Sequence, residues 1–561
     1  MNRLLLYART LVHLRPTQVL ALIRKRLLPS ATQVPHIQGL RLRPGVGLSP
    51  CLPHSRLPGK DHAFCFLNQE KTFPDGGIDW ASKDMPKLWR YNLHYFDYLF
   101  DAGRSHDVKV HLISDWITKN PPGTSDGWEP YTLSLCIVNW IKFFFFLKND
   151  AAIQEEWIQS LYKQALWLEK NVEYHILANH YLKNGVALFF AGMYFEGVDA
   201  DRWIKKGLKI IREELGEQFL ADGGHYERSP MYHSICVIDY LDVLNLLQNS
   251  QTAIPAKEIA QLRQRVTASL NFLNDICLPD KEIPLFNDSA FGIAPIPSQV
   301  FDYAWRVTGY EPPPKLTGLA IHEKPQSGYY VCRDGEDMIM IDCGSIGPDY
   351  QPGHAHCDTL SYELAINGRR VVVDSGVFDY EPSSERAYAR STRAHNTVVV
   401  DGEEQSEIWG VFRVARRAKP LRAFFAKQVD GSVLFEGAHD GYARLAGKPI
   451  HKRHMSYDRQ GSWVIKDMLE GRGTHRMESY IHIHPDFQVA QSGASFRVIE
   501  PSGSTIAIIE ALGPSHMRME QGWYFPEFGL KRENHVIVFT CSGKIPLSLS
   551  YRIQKVTSRN Q

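Results

Sequence analysis

The sequence predicts two domains in tandem: a helical one, with helices paired and stacked in an array or ring, and an antiparallel β-sandwich behind it. Three observations predict this. From about residue 85 to 310, apolar residues recur at spacings of three and four. The run Glu311-Pro312-Pro313-Pro314 then breaks the chain. After it the apolar period changes to two. A length of 561 residues exceeds what one core usually covers. With 44% hydrophobic and 22% charged residues, composition is that of a globular protein and excludes a chain dominated by disorder.

The first element is a basic arm, set at residues 1–80. Residues 1–60 hold ten Lys/Arg and no acid; the other 501 carry 53 basic and 62 acidic side chains, a net of −9. Leu4-Leu5-Leu6 is apolar, but Arg3, Arg9, His13 and Arg15 interrupt the run and no Ala-x-Ala-like site follows, so it does not read as a signal peptide. Leu20, Leu22, Ile23 and Leu27 with Arg24-Lys25-Arg26 read as an amphipathic helix. Such an arm can pack on the body as a solvated helix or meet a membrane surface, a partner or an anionic polymer. No zinc-finger, homeodomain or RNA-binding signature accompanies it, so nucleic acid is not an expected partner. No stretch approaches the ~18 apolar residues of a membrane span. The nine cysteines are scattered, with no Cys-x-x-Cys. They point to reduced thiols and a cytoplasmic setting, with a periplasmic or membrane-associated location as the alternative.

The helical domain, residues 81–314, is read from Trp157–Val172, Tyr181–Phe195, Trp203–Phe219, Ile235–Leu247 and Ile259–Ile276. Phe143–Phe146 is too short for a span and reads as core helix. In the β-domain, residues 315–561, Tyr329–Cys332 and Met338–Asp342 form a hairpin around Asp334-Gly335. Leu360–Ile366, Arg370–Asp374, Thr397–Val400, Val433–Glu436, Trp463–Met468, Ser504–Glu510, Val536–Thr540 and Leu547–Ile553 continue the pattern. The deepest groove is expected between the domains.

Four clusters carry candidate chemistry. Trp89 to Tyr98, with Tyr95 inside it, is either a core helix face or a platform for sugar rings. Asn179-His180 opens an apolar helix; together they cap it or bind a carboxylate. Asp222 to His233 is too polar for a buried helix start; Arg228 can pair an anion, and Glu227 or Asp222 can serve as a glycosidase acid, though no partner carboxylate motif accompanies them. In the fourth, Gly353-His354-Ala355-His356, Asp374 and His395 place two histidines and a carboxylate, on strand-like sequence, where one metal ion could bind, leaving His354 for acid–base work. Asn367-Gly368 marks the turn between His356 and Asp374.

Taken in order, these clusters resemble the heparinase II/III-like polysaccharide lyases over roughly residues 85 to 550. Leu93 to Tyr98, Asn179-His180, Asp222-Gly223 through Tyr232, Gly353-His354-Ala355-His356 through Tyr362, and Arg393-Ala394-His395-Asn396-Thr397-Val398 carry the likeness. The resemblance implies an incomplete α/α toroid joined to an antiparallel β-sandwich. It implies β-elimination on a polysaccharide containing uronic acid, with Asn179 and neighbouring His180 holding the carboxylate and Tyr232 and His354 as the acid–base pair. Tyr226 is the competing tyrosine, and Tyr95 and Arg228 join His180 and Tyr226 as substrate-binding candidates. His356, Asp374 and His395 match ligands of a structural zinc. The absence of a metallohydrolase glutamate motif disfavours a hydrolase. The subgroup resembled is associated with bacterial surface-polysaccharide synthesis. The alternatives are a non-catalytic polysaccharide-binding or assembly protein, and a glycoside hydrolase on a related toroid.

Overall fold

The computed structural model describes residues 3–27, 39–52, 61–74, 77–147, 153–314 and 318–556. Helices Arg3–Leu11 and Pro16–Leu27 form the arm. It ends earlier than expected: the hairpin Ala63–Phe66/Gln69–Thr72 buries Phe64 and Phe66 in the helical domain's core, beside Phe73. Aromatic and β-branched density, not charge, therefore sets that boundary.

The helical domain runs through Lys87–Tyr95, His106–Lys119, Pro130–Phe146, Glu155–Lys170, Ala178–Tyr194, Val198–Gln218, Pro230–Gln248, Ala256–Ile276 and Pro297–Thr308, an incomplete α/α toroid. Proline occupies the first turn of three of them, where no amide donor is needed. Ser229 caps Pro230–Gln248 by accepting from the Tyr232 amide. Gly309, in the left-handed conformation, ends Pro297–Thr308. Ala178–Tyr194 and Val198–Gln218 lie backbone to backbone because Gly185 and Gly207 face each other: a Cβ on Gly207 would sit 2.6 Å from the Gly185 carbonyl oxygen. Any side chain there would wedge the pair apart.

Besides the two-stranded ribbon Ile408–Trp409/Arg413–Val414, the β-domain holds three larger antiparallel sheets around its main apolar core among the described residues. Five strands order as Ala320–Lys324, Tyr329–Asp334, Asp337–Asp342, Tyr362–Ile366 and Arg369–Val372. An eight-stranded sheet is built around Ile450–Tyr457, Ser462–Glu470 and Leu547–Lys555, and a four-stranded one around Thr474–His482 and Arg532–Lys544. The expected turns hold: Gly335 and the Asn367-Gly368 pair have positive φ between paired strands. Ile450–Tyr457 was not expected as a strand. It alternates perfectly, but its buried positions include His451 and Arg453, so its inner face reads as polar.

Candidate active site

Two helix N-termini and one β-domain loop converge on a cavity of about 620 Å³. Asn179 and His180 sit in the first turn of Ala178–Tyr194, which the chain enters with positive φ at both Leu177 and Ala178. For a residue as bulky as leucine that conformation is strained, and it aims the first turn into the cavity. Tyr232 sits in the first turn of Pro230–Gln248. Both helices thus direct their positive ends to one place, which suits an anion. His354 comes from the loop before strand Tyr362–Ile366. Tyr95, Asn179, His180, Tyr232 and His354 all line the cavity, with β-domain residues Gln351, Tyr380 and Phe412 opposite.

The tyrosine–histidine pair is formed across the domain boundary. The Tyr232 ring stacks on His354 with centroids 3.9 Å apart, and its hydroxyl lies 3.2 Å from that of Tyr380. Burial, then the neighbouring Tyr380, push the Tyr232 phenol well above its ordinary value, so it holds its proton at neutral pH. His354 Nδ1 lies 2.9 Å from Asp288 Oδ2, and His356 Nε2 lies 2.8 Å from Asp288 Oδ1. Burial alone would raise Asp288. The Arg386 guanidinium, which clamps both carboxylate oxygens, and the two histidines outweigh it and hold Asp288 well below the usual range. An ionised carboxylate only accepts. His354 therefore carries its proton on Nδ1, and its Nε2 is the atom left for acid–base work, 3.4 Å from Glu227.

Glu227 also accepts from the Asn179 backbone amide at 3.2 Å and from its Nδ2 at 3.1 Å to each oxygen, while Asn179 Oδ1 is buried with no partner among the described residues. His180 Nδ1 lies 3.1 Å from Glu173. Burial works against its charge, but the Glu173 carboxylate prevails and raises it, which favours the charged form of His180 on the cavity wall.

Two expected substrate contacts lie elsewhere. Arg228, with φ at 55°, donates to the carbonyls of Tyr226, Gln326 and Ser327, and it is not among the lining residues. Tyr226 is buried with its hydroxyl 2.8 Å from that of Tyr350 and does not line the cavity either. The left-handed turn at Arg228 directs both side chains to the domain junction. Asp288, Tyr380 and Arg386 were missed. Asp288 lies in Phe286-Asn287-Asp288-Ser289, a polar step between two helices, and that was the available signal. Tyr380 lies in an irregular stretch and Arg386 in the short helix Ser384–Ala389, and neither offered such a signal.

The metal candidates lie together but not on strands. His356 and His395 fall in loops, and Asp374 lies just past Arg369–Val372, where its Oδ1 accepts from the Gly376 amide. Strand pairing would have alternated these side chains across the sheet; the loops do not. His395 Nδ1 lies 2.8 Å from Asp374, and the His356 and His395 rings are 5.4 Å apart. Among the described residues no group of three or more His, Cys, Asp or Glu is arranged to hold a metal as it stands. Yet His356 Nδ1 and His395 Nε2 are both buried without a partner among those residues. Burial, opposed by His395 and reinforced by Asp374, pushes Asp358 beside them up to about 6.

A family model described as Heparinase II/III N-terminus matches residues 58–303, and one described as Heparinase II/III-like, C-terminal matches residues 317–554. A heparin-sulfate lyase of Pedobacter heparinus is 27% identical over 326 residues, covering 52% of this chain and 48% of the relative. A heparin-sulfate lyase of Bacteroides thetaiotaomicron is 25% identical over 456 residues, covering 71% and 62%. The alignments thus span about half to three-fifths of these relatives. The crystal structure of heparinase III superposes with a TM-score of 0.69 at 19% identity, over 86% of this chain and 80% of that one, and shares the fold.

Proposed function

The chain belongs to the heparinase II/III-like family, and from that premise we propose that it is a polysaccharide lyase cleaving a uronate-containing polymer by β-elimination. The observation that carries this is the cross-domain stack of Tyr232 on His354, with Asp288 fixing the histidine's tautomer. His354 Nε2 takes the C5 proton. The C4–O4 bond breaks as the C4–C5 double bond forms, and Tyr232, which keeps its proton at neutral pH, gives it to the departing oxygen. The imidazolium then loses the C5 proton and the phenolate regains one by exchange with water in the cavity, which resets both groups. His180 and the two helix N-termini stabilise the uronate carboxylate as charge develops on it. For Asn179 to join them, its amide must release at least one Glu227 oxygen.

The cavity's charges support a sparsely sulfated polymer. Lys87, Lys142 and Lys183 line it, and each is paired: with Glu129 at 2.8 Å, Asp242 at 2.5 Å and Asp239 at 2.6 Å. No arginine lines it among the described residues. A dense row of sulfates would meet no free cation there.

Zinc belongs to the proposal: His356, Asp374 and His395 would hold it, and the two unpartnered ring nitrogens support this. Its part would be to hold the loops behind His354 in place. Metal analysis of protein never exposed to chelator should find one equivalent; none would remove zinc from the account. Nine unpaired cysteines support a cytoplasmic location, and a basic arm supports contact with a membrane or partner. A role in making a bacterial surface polysaccharide would fit both.

The test is a panel of uronate polymers assayed for the ultraviolet absorbance of the conjugated product. Tyr232→Phe should lower turnover about 10²-fold or more with the fold intact. Near-normal turnover would reject the assignment. Reducing ends released without absorbance would instead favour a hydrolase, and binding without cleavage a non-catalytic module.

A further inference from the structure

The arm is built inside out. A helix packed on a globular body usually turns its apolar face inward and its polar face to water. Here the inward contacts are largely polar. Arg9 pairs with Glu407 at 2.8 Å, Arg15 pairs with Glu217, and Trp409 Nε1 donates to Thr10 at 3.1 Å. Gln18 reaches the carbonyls of Ile176 and Tyr350. The outward face carries the leucines. Of the 22 large apolar side chains exposed among the described residues, ten lie between Leu4 and Leu27. Leu4 is 76% exposed, Leu20 66% and Leu27 73%. Leu4, Leu11 and Val12 share one helix face, as do Leu20, Ile23 and Leu27. Exposed Arg3, Arg24 and Arg26 lie among them, and the first 60 residues contain no acid.

We propose that this face docks on an anionic lipid bilayer. Leucines beside arginines match the boundary between acyl chains and anionic headgroups, and the charge chooses a membrane over an apolar protein surface. No helix is long and apolar enough to cross the bilayer among the described residues, so the arm lies on it. The inward contacts fix its orientation. Glu217 belongs to the helical domain and Glu407 to the β-domain, so the arm straps the two together. Ile176, which Gln18 touches, lines the cavity. A docked arm therefore places the mouth of the groove beside the lipid surface.

The test is sedimentation of the full chain with vesicles of phosphatidylcholine alone, or of equal parts phosphatidylcholine and phosphatidylglycerol, at low and high salt. Binding should favour the anionic vesicles by about tenfold or more and weaken in high salt. Leu20→Asp with Ile23→Asp should lower it by about tenfold or more. Arg24→Gln and Arg26→Gln should each lower it about fivefold. All these variants should keep the thermal midpoint of the parent, because the altered side chains face away from the body. No binding to either vesicle, or binding indifferent to Leu20→Asp with Ile23→Asp, overturns the proposal. A dimer in light scattering that those substitutions dissolve, with no lipid binding, also overturns it and gives the face to a second copy of the chain.

Discussion

Two buried carboxylates in this molecule are built almost alike. Asp288 is gripped by Arg386 and touched by His354 and His356. Asp467, in the β-domain core, is gripped by Arg453 through Nε at 2.7 Å and Nη2 at 2.8 Å, and touched by His451 at 2.9 Å and Ser479 at 2.8 Å. Both are fully buried, and in both the arginine overcomes burial to hold the acid well below its usual range. They differ in where the histidine leads. His451 passes to His439, itself buried, and the chain of contacts closes. The His354 side chain is 13% exposed and opens on the cavity, against a tyrosine from the other domain. An Arg–Asp–His cluster is thus a way to fill a core with polar groups; an outlet and a second domain make it a device for moving protons.

Neutralising each acid tests that distinction. Asp288→Asn keeps the shape, leaves Arg386 without a counter-charge and frees the His354 tautomer. Turnover on the cleaved polymer should drop about 10²-fold or more, with a lowered thermal midpoint. Asp467→Asn should cost on the order of 3–5 kcal/mol in denaturant unfolding. Turnover per folded molecule should survive; equal loss in both variants would show that the two clusters are one functional system. Tyr380→Phe probes the outlet, where the hydroxyl faces Tyr232 and Asp288. Removing the partner of the Tyr232 hydroxyl should slow turnover about three- to tenfold, the worth of one hydrogen bond, and leave stability unchanged. A further test concerns acid. His94 and His233 in the helical domain and His482 and His484 in the β-domain are each lowered to about 4, chiefly by burial. The unfolded chain takes up these protons near the ordinary value of ~6.5, so stability should fall as pH drops from there toward 4. Melting curves across that window check the sign, and His94→Gln should flatten the slope.

Much of the fold was legible because burial imposes a period on the sequence. The expected helix Trp157–Val172 stands at Glu155–Lys170, and Ile259–Ile276 at Ala256–Ile276. The hairpins at Asp334-Gly335 and Asn367-Gly368 announced themselves through residues that tolerate positive φ. What escaped was buried polarity. The strand Ile450–Tyr457 turns His451 and Arg453 inward to serve Asp467, so its core face looked like surface. At the site, motifs with dense aromatic or histidine content placed Asn179, His180, Tyr232 and His354 on one cavity. A polar step between helices marked Asp288, but not its role, which depends on three partners 66 to 98 residues away in the other domain. Arg228 misled for the opposite reason: its charge suggested a ligand, but backbone carbonyls occupy it.

The short segment from Leu285 to Ser289 crosses between the domains. The Leu285 amide donates to Glu363, the Asn287 amide donates to Asp358, Asn287 Oδ1 accepts from the His356 amide, and the Asp288 amide donates to the His354 carbonyl. In sequence it precedes the proline run at 312–314; though Arg228, Ser229 and Met231 also hold it, its bonds to the residues behind His354 run to the domain after it. Anyone recombining relatives at the prolines would put Asp288 from one parent beneath His354 and His356 from the other. A crossover ahead of residue 285 would keep that hydrogen-bonded cluster within one parent. In this chain the seam visible in the composition and the seam along which halves can be exchanged are two different places.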